Sequence, residues 1–342
     1  MTAGKLGVGV IGLGVGEQHA RMFAAHPDCR LVALCDMNAA KIDEVSRRLP
    51  PAKHYSRAEE LIDDPDVQIV SIASNDDDHC DQIVRALRLG KHVFAEKPLC
   101  LRHDQLLAIV QAWRGARGAR LSTNTLLRRS PRFQWLKRTI DEGKLGTVYC
   151  IEGDYVYGRF HKLTSGWRGQ IPGYSVMLGG GIHVVDLMLW LSGQRPVEVF
   201  AYGSSLGSVG TAFRGTDLVL ALLKFDSGLV VKIGANFASR YAHFHRFMVY
   251  GTKGTFENLP AEISPSARLW EGSDGGPPPS LVDEPYPAVA KGELIPSFVA
   301  AVQGRGEPDV PEHQVFTSVA TCLAIERSAV EGRPVRIDYE EL

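Results

Sequence analysis

Glu96-Lys97-Pro98 follows the short apolar run Val93-Phe94-Ala95. The run reads as a buried strand over residues 92–96, and Gly90 closes the helix before it. Lys97 then stands at a strand's carboxyl end, where open α/β sheets hold their ligands, so its cation faces a site and not a core. Pro98 disfavours the α conformation at Lys97 and gives the ammonium a defined direction. The competing reading is a solvated turn lysine paired with Glu96. A second signal lies at the start of the chain. The apolar stretch over residues 6–11 runs into Gly12, Gly14 and Gly16, followed by a segment of helical periodicity. Strand, glycine turn and helix N-terminus together make a cradle for a pyrophosphate. The third glycine comes one place earlier than in GxGxxG, and Glu17 takes its usual position. A second apolar strand, residues 31–35, ends in Asp36, 24 residues after Gly12, where an acidic residue binds ribose hydroxyls. Met37 and Asn38 follow it with no arginine to meet a 2′-phosphate, which favours NAD over NADP. The other reading of Asp36 is a helix N-cap.

A third group sits far down the chain in GGGIHVVDLMLWL, residues 179–191. This segment is apolar almost all round, which implies burial, yet it carries His183 and Asp186 on one helical face. A core histidine bonded to Asp186 is one account of the pair. Gly179, Gly180 and Gly181 favour a functional one, because glycines let a backbone pass close to a ligand. The run Asp76-Asp77-Asp78-His79 has metal-ligand residue types but no second ligand cluster, so it reads as a loop and the acidic first turn of a helix over residues 80–89. No metal is expected.

The elements that must position these groups alternate strand and helix as far as Leu121, as βαβ units do. Beyond it come period-two runs at residues 148–157, 197–202, 218–225, 229–235 and 247–250, with Gly251-Thr252-Lys253-Gly254 as a tight connection. They predict a large, mostly antiparallel open sheet. Residues 273–286, rich in Gly and Pro, predict a surface loop. The expected organisation is an α/β fold with an N-terminal Rossmann dinucleotide-binding domain, residues 1–121, and a C-terminal α+β domain, residues 122–342. At 342 residues two domains are the natural expectation. A composition of 44% hydrophobic and 23% charged residues is that of a globular protein, and the net charge of −1 makes no electrostatic case for nucleic acid or membrane partners. No apolar run reaches the length of a membrane span, no signal peptide is evident, and the six cysteines lack metal spacing. A cytoplasmic protein with reduced thiols is expected.

Across almost its whole length the chain resembles the Gfo/Idh/MocA family of oxidoreductases. The resemblance rests on VGVIGLGVGEQHA, VALCD, GKHVFAEKPL, GGGIHVVDLMLWLSG, VYGTKGTF and SAVEGRPVRI. It implies that Lys97 is the catalytic-site lysine of the EKP segment and His183 the histidine of the GxH segment. The family's aspartate four residues before that histidine is replaced by Gly179, which leaves Asp186 as the nearest candidate to orient the ring. Asn124 and Arg128 resemble polar residues that open the second domain in sugar-active members. Trp167, Arg168 and Tyr174 resemble a substrate loop, and His243 falls where inositol-type members have a tyrosine. Arg128 and Arg168 have a solvated-surface alternative.

The cofactor residues expected are Gly12, Gly14, Val15, Gly16, Asp36, Met37, Ser74, Asn75, His79, Glu96 and Lys97, with NAD as cofactor. Substrate contacts are expected from Asn124, Arg128, Trp167, Arg168, Tyr174, Asp186 and His243. The activity implied is hydride transfer between a nicotinamide and a secondary alcohol or ketone of a sugar, polyol or nucleotide sugar. Lys97 would polarise the oxygen and His183 would move the proton. Alternatives are a redox-assisted lyase or glycosidase that recycles its NAD, and a non-catalytic NAD or sugar sensor. A homodimer or homotetramer is expected.

Overall fold

The computed structural model describes residues 4–260, 263–272 and 277–342. The chain folds into two compact units. The first holds the described residues up to Leu126, together with Ala290–Phe316 and Leu342; the second holds those of Leu127–Val289 and Thr317–Glu341. The chain that follows residue 121 is therefore not all in the second unit, because residues 290–316 return to the first.

The first unit alternates β1 (Leu6–Ile11), α1 (Gly16–Ala25), β2 (Cys29–Cys35), α2 (Ala39–Ser46), β3 (Lys53–Tyr55), α3 (Ala58–Asp63), β4 (Ile69–Ile72), α4 (His79–Arg88), β5 (His92–Ala95), α5 (His103–Gly115) and β6 (Leu121–Thr123). Its six strands are all parallel, in the order β3-β2-β1-β4-β5-β6. That is the doubly wound dinucleotide order, with its switch point between β1 and β4. Val8, Val10, Val70, Ile72, Val93 and Phe94 are buried, as strands covered on both faces must be. Gly90, at φ +72°, ends α4 in the left-handed conformation that glycine adopts without strain. In the returning segment, Phe298 packs on Phe94 with centroids 5.5 Å apart, and the Val310 carbonyl accepts from Ser122 Oγ at 2.9 Å.

The second unit contains α6 (Pro131–Asp141), β7 (Val148–Val156), α7 (His161–Thr164), α8 (Ile182–Ser192), β8 (Glu198–Ser204), β9 (Leu218–Lys224), β10 (Val230–Asn236), β11 (Phe244–Gly251), β12 (Gly254–Asn258), β13 (Ala267–Glu271) and β14 (Ser280–Val282). After α9 (Ile295–Val302) of the first unit and α10 (Glu312–Glu331), the chain adds β15 (Val335–Arg336). The nine strands run β14-β13-β12-β11-β7-β10-β9-β8-β15. All neighbours are antiparallel except β7 with β10. Alternation sets the two faces: in β9, Val219, Ala221 and Leu223 are buried while Leu220 and Leu222 point to solvent. The loop expected over residues 273–286 is corrected in part. Residues 273–276 lie outside the described residues, and Ser280–Val282 pairs with β13 as the edge strand of the sheet, with Val282 buried.

Candidate functional site

In the first unit the turn from β1 to α1 uses its glycines for three different reasons. Gly12 has φ +80°, and a Cβ there would lie 2.3 Å from the Ala73 carbonyl oxygen. Gly16 packs α1 on the sheet, with Val10 and Ala73 side-chain carbons 3.1 and 3.2 Å from a Cβ. A Cβ on Gly14 would meet nothing within 4 Å, so this position keeps open space at the helix N-terminus, where a pyrophosphate would lie beside Val15. Glu17 is engaged elsewhere: it pairs with Arg21 at 2.8 Å and Arg48 at 3.0 Å, and the Arg21 hydrogen bond leads the interactions that lower its pKa. Asp36 is not the cap of α2. Asn38 caps it by accepting from the Lys41 N–H, while Asp36 accepts from the Leu13 N–H at 2.8 Å and the Asn38 N–H at 2.9 Å. Its carboxylate is thereby fixed beside the glycine turn, with Met37 exposed next to it.

Two expected cofactor residues hold backbone and side chains of the protein itself. His79 is buried, with Nδ1 2.7 Å from the Pro98 carbonyl oxygen and Nε2 3.2 Å from that of Ser74, so it ties the loop after β4 to the loop after β5. Ser74 donates its hydroxyl to Gln82 at 2.8 Å, and the neighbouring Asn75 carbonyl accepts from the Asp78 N–H. Around Glu96 lies a network that sequence reading missed. His19 of α1 sits between Ser71 Oγ (3.0 Å) and Glu96 Oε1 (3.3 Å), and Asn124 donates its amide to the same Glu96 oxygen at 2.8 Å. Burial alone would raise the Glu96 pKa; the hydrogen bond and charge of His19, the Lys97 ammonium and the Asn124 amide outweigh it and hold the carboxyl well below the ordinary range. The residue before Lys97 is thus anchored from α1, β4 and the end of β6. Asn124, expected at the substrate, turns its buried amide nitrogen to Glu96 and so takes part in this network. A histidine in the buried stripe Gly16, His19, Ala20, Phe23 of α1 was the available signal.

In the second unit, His183 stands on a segment that begins as a π-helical turn, Met177–Gly181, and continues as α8. Ser175 Oγ accepts from the Leu178 N–H and Glu326 from the Met177 N–H, which satisfies the segment's start; burial raises the Glu326 pKa. The three glycines admit side chains of the same chain, a correction to the expectation of a ligand there. A Cβ on Gly179 would lie 2.0 Å from Tyr174 Oη, one on Gly180 2.4 Å from Tyr155 Cε1, and one on Gly181 3.1 Å from Ala235 Cβ.

The rings form one cluster. His183 stacks on Tyr155 at 5.9 Å and 19°, Tyr155 stacks on Phe237 at 5.7 Å, and Tyr174 meets Phe237 edge-on at 6.2 Å. His243 and His245 lie 5.0 Å apart, each 5.2 Å from Tyr155. His243 Nδ1 is 2.9 Å from the Val156 carbonyl oxygen, which can only accept, so Nδ1 carries the proton. Burial, then His243, His183 and Arg159, lower the His245 pKa well below 6.5 and keep that ring neutral. The hydroxyl of Tyr286 accepts from the His245 backbone N–H at 3.1 Å and lies 2.5 Å from Nδ1. Sequence reading singled out His243 but neither His245 nor Tyr286; a period of two from His243 along β11 was the signal for His245.

Asp186 is bonded to Arg128 Nε and Nη2 at 2.8 and 2.6 Å and to Ser318 Oγ at 3.2 Å, not to His183. Both members of the pair are buried, so the substrate contacts expected of Arg128 and Asp186 are corrected to an internal bidentate ion pair. Its loss on one side would leave a buried charge, costing about 3–5 kcal/mol. Trp167 and Arg168 share the 3₁₀ turn Trp167–Gln170, half-buried, with the guanidinium 4.5 Å over the indole. Arg159 and Arg168 are the cations that act on Tyr155.

Two family descriptions match the chain: "Oxidoreductase family, NAD-binding Rossmann fold" over residues 6–124 and "GFO/IDH/MocA C-terminal domain" over residues 133–257. The 1,5-anhydro-D-fructose reductase of Ensifer adhaerens is 28% identical over 291 residues, 84% of each chain. The myo-inositol 2-dehydrogenase of Thermotoga maritima is 29% identical over 255 residues, 72% of this chain and 73% of that protein. Among solved structures, levoglucosan dehydrogenase in complex with NADH and levoglucosan has the same fold, with TM-score 0.84 and 23% identity over 98% of this chain and 100% of that one.

Proposed function

Since the chain belongs to the Gfo/Idh/MocA oxidoreductases and carries their NAD-binding Rossmann unit, we propose that it interconverts a secondary alcohol and a ketone on a cyclic sugar or polyol. The observation that carries this reading is the anchoring of Glu96 directly before Lys97, at the carboxyl end of β5 in the sheet that binds the dinucleotide. Similarity to an anhydrofructose reductase and an inositol dehydrogenase supports the substrate class.

The residues present fit NAD. Gly12, Gly14 and the α1 N-terminus provide the phosphate cradle. The Asp36 carboxylate, pinned by two N–H groups, suits ribose hydroxyls and repels a 2′-phosphate. The bound nicotinamide supplies the hydride acceptor or donor. Lys97 polarises the substrate oxygen, and His183 takes its proton in oxidation and returns it in reduction. The test is NADH fluorescence of the protein with NAD and a panel of cyclic polyols and sugars, wild type beside Lys97→Ala. Turnover lost by at least about 10²-fold in the variant supports the reading. Product without net NADH would replace it by a redox-assisted lyase, and NADH binding without turnover of any sugar by a sensor.

A second copy of the chain is proposed as partner. Phe200 lies opposite Leu222 and Tyr202 opposite Leu220 across β8 and β9, on the face opposite the buried one, and Val230 of β10 lies opposite Lys224 beside them. Tyr202, Leu220, Leu222 and Val230 are 65, 44, 55 and 48% exposed. A contiguous apolar patch on an open sheet is an association surface. Leu222→Lys should shift sedimentation toward monomer; an unchanged oligomer would remove this face from the assembly. No helix among the described residues is long and apolar enough to cross a membrane, and the six free cysteines support a reducing, cytoplasmic setting.

A further inference from the structure

We propose that Glu326 of α10, together with Ser175, latches the π-helical turn that presents His183, and so acts as a positioning residue for its proton transfer. The inference rests on His183 being the proton-transfer group. Glu326 Oε1 accepts from the Ser175 hydroxyl and, at 3.3 Å, from the Met177 N–H. Ser175 Oγ in turn accepts from the Leu178 N–H at 2.9 Å, and the Ser175 carbonyl accepts from the Gly179 N–H at 2.9 Å. At the far end of the turn, the Met177 carbonyl accepts from the N–H of Ile182, the residue joined to His183. Met177 is therefore held by Glu326 on one side and holds, on the other, the residue that carries His183.

A latch is needed because the turn does little to hold itself. A π turn closes on i→i+5 bonds with one residue more than an α turn, and such turns are rare and gather at functional sites. Three of its five residues are glycines, which weaken any helix they enter. The same glycines admit one register. A Cβ at Gly179 would lie 2.0 Å from Tyr174 Oη and one at Gly180 2.4 Å from Tyr155 Cε1, so a slip of one residue drives the side chain of Leu178 or Ile182 into space that now belongs to a glycine. Stacking on Tyr155 at 5.9 Å sets the His183 ring; the latch sets the backbone that carries it. α10 grips this segment twice. Ser318 donates to Asp186 Oδ1 at 3.2 Å, beyond His183, and Glu326 stands about two turns further along α10. The groups that favour the charge of Glu326 are the Ser175 hydroxyl and the Met177 N–H, the two donors it bonds.

Glu326→Leu removes the acceptor at similar volume, whereas Glu326→Gln keeps the acceptor and loses only the charge. In ¹⁵N-histidine spectra, with the His183 signal identified by its absence in His183→Gln, Glu326→Leu should shift the His183 signal. Its kcat should fall about 10²-fold with KM for NAD unchanged, as for a misplaced proton-transfer group. Glu326→Gln should restore both, since it offers Met177 and Ser175 the same oxygen. Should Glu326→Leu not fold, Ser175→Ala, which deletes a single hydroxyl, should shift the same signal with a smaller loss of kcat. A His183 signal unchanged in the folded variant overturns the proposal, whatever happens to turnover. So does a Glu326→Gln variant as impaired as Glu326→Leu, which would assign the effect to charge and not to the two hydrogen bonds. A shifted signal together with full turnover in His183→Ala would keep the latch and reject the proton-transfer reading instead.

Discussion

Glu96 and His183 are placed under opposite regimes of polarity. On the Glu96 carboxylate converge an imidazole from α1 and an amide from the end of β6, with a β4 hydroxyl behind the imidazole, all in hydrogen-bond range. His183 stands among Tyr155, His245 and the rings beyond them, placed by stacking and by three glycines without side chains. Hydrogen bonds fix an atom by direction, whereas packed rings fix it by volume. The first site should therefore respond to changes of charge and the second to changes of size.

The largest effect that separates the two is on turnover. His183→Ala should lower kcat by about 10²–10⁴-fold while NADH binding, followed by fluorescence, changes little. Equal loss of both would make His183 scaffold and dissolve the contrast. Next comes size without charge: Gly180→Ala drives a methyl into Tyr155 and Phe237, at 2.4 and 2.7 Å, and should cost about 1–3 kcal/mol in urea denaturation. A neutral result would mean that the rings give way, and that volume does not set the His183 site.

The smallest expected effect is charge without size. Glu96→Gln keeps an acceptor for Asn124 and loses the negative charge, about 1 kcal/mol at neutral pH. In the wild type the folded-state pKa of Glu96 lies below the ordinary 4.5, so its contribution is whole above pH 4.5 and is lost as pH falls toward the folded value. The gap between wild type and Glu96→Gln should close in acid. A gap independent of pH would remove the charge from the account.

The same contrast governs what could be read from the sequence. Strand, turn and helix follow one another locally in the first unit, so the glycine turn, Asp36 and the strand before Lys97 were visible as short patterns. The part that failed there was long-range: nothing local says that His19 meets Ser71 and Glu96, 52 and 77 positions away. In the second unit the strands of the open sheet were legible from alternation, but the ring cluster depends on register among β7, β10 and β11. Asp186 misled because helical spacing places it near His183, while its partner Arg128 comes from 58 residues upstream. The glycines misled for a related reason: a missing side chain announces close approach without saying what approaches.

The return of residues 290–316 to the first unit bears on how the protein is made. All six strands have been synthesised by residue 123, yet the cover of Phe94 and the acceptor for Ser122 arrive only with Phe298 and Val310. At the usual pace of translation, about 190 further residues take roughly ten to forty seconds. For that interval the nascent nucleotide-binding sheet carries an apolar gap beside β5 and, in β6, a Ser122 hydroxyl that still lacks its Val310 acceptor. Synthesis interrupted before residue 298 leaves the six strands in place but Phe94 without this cover.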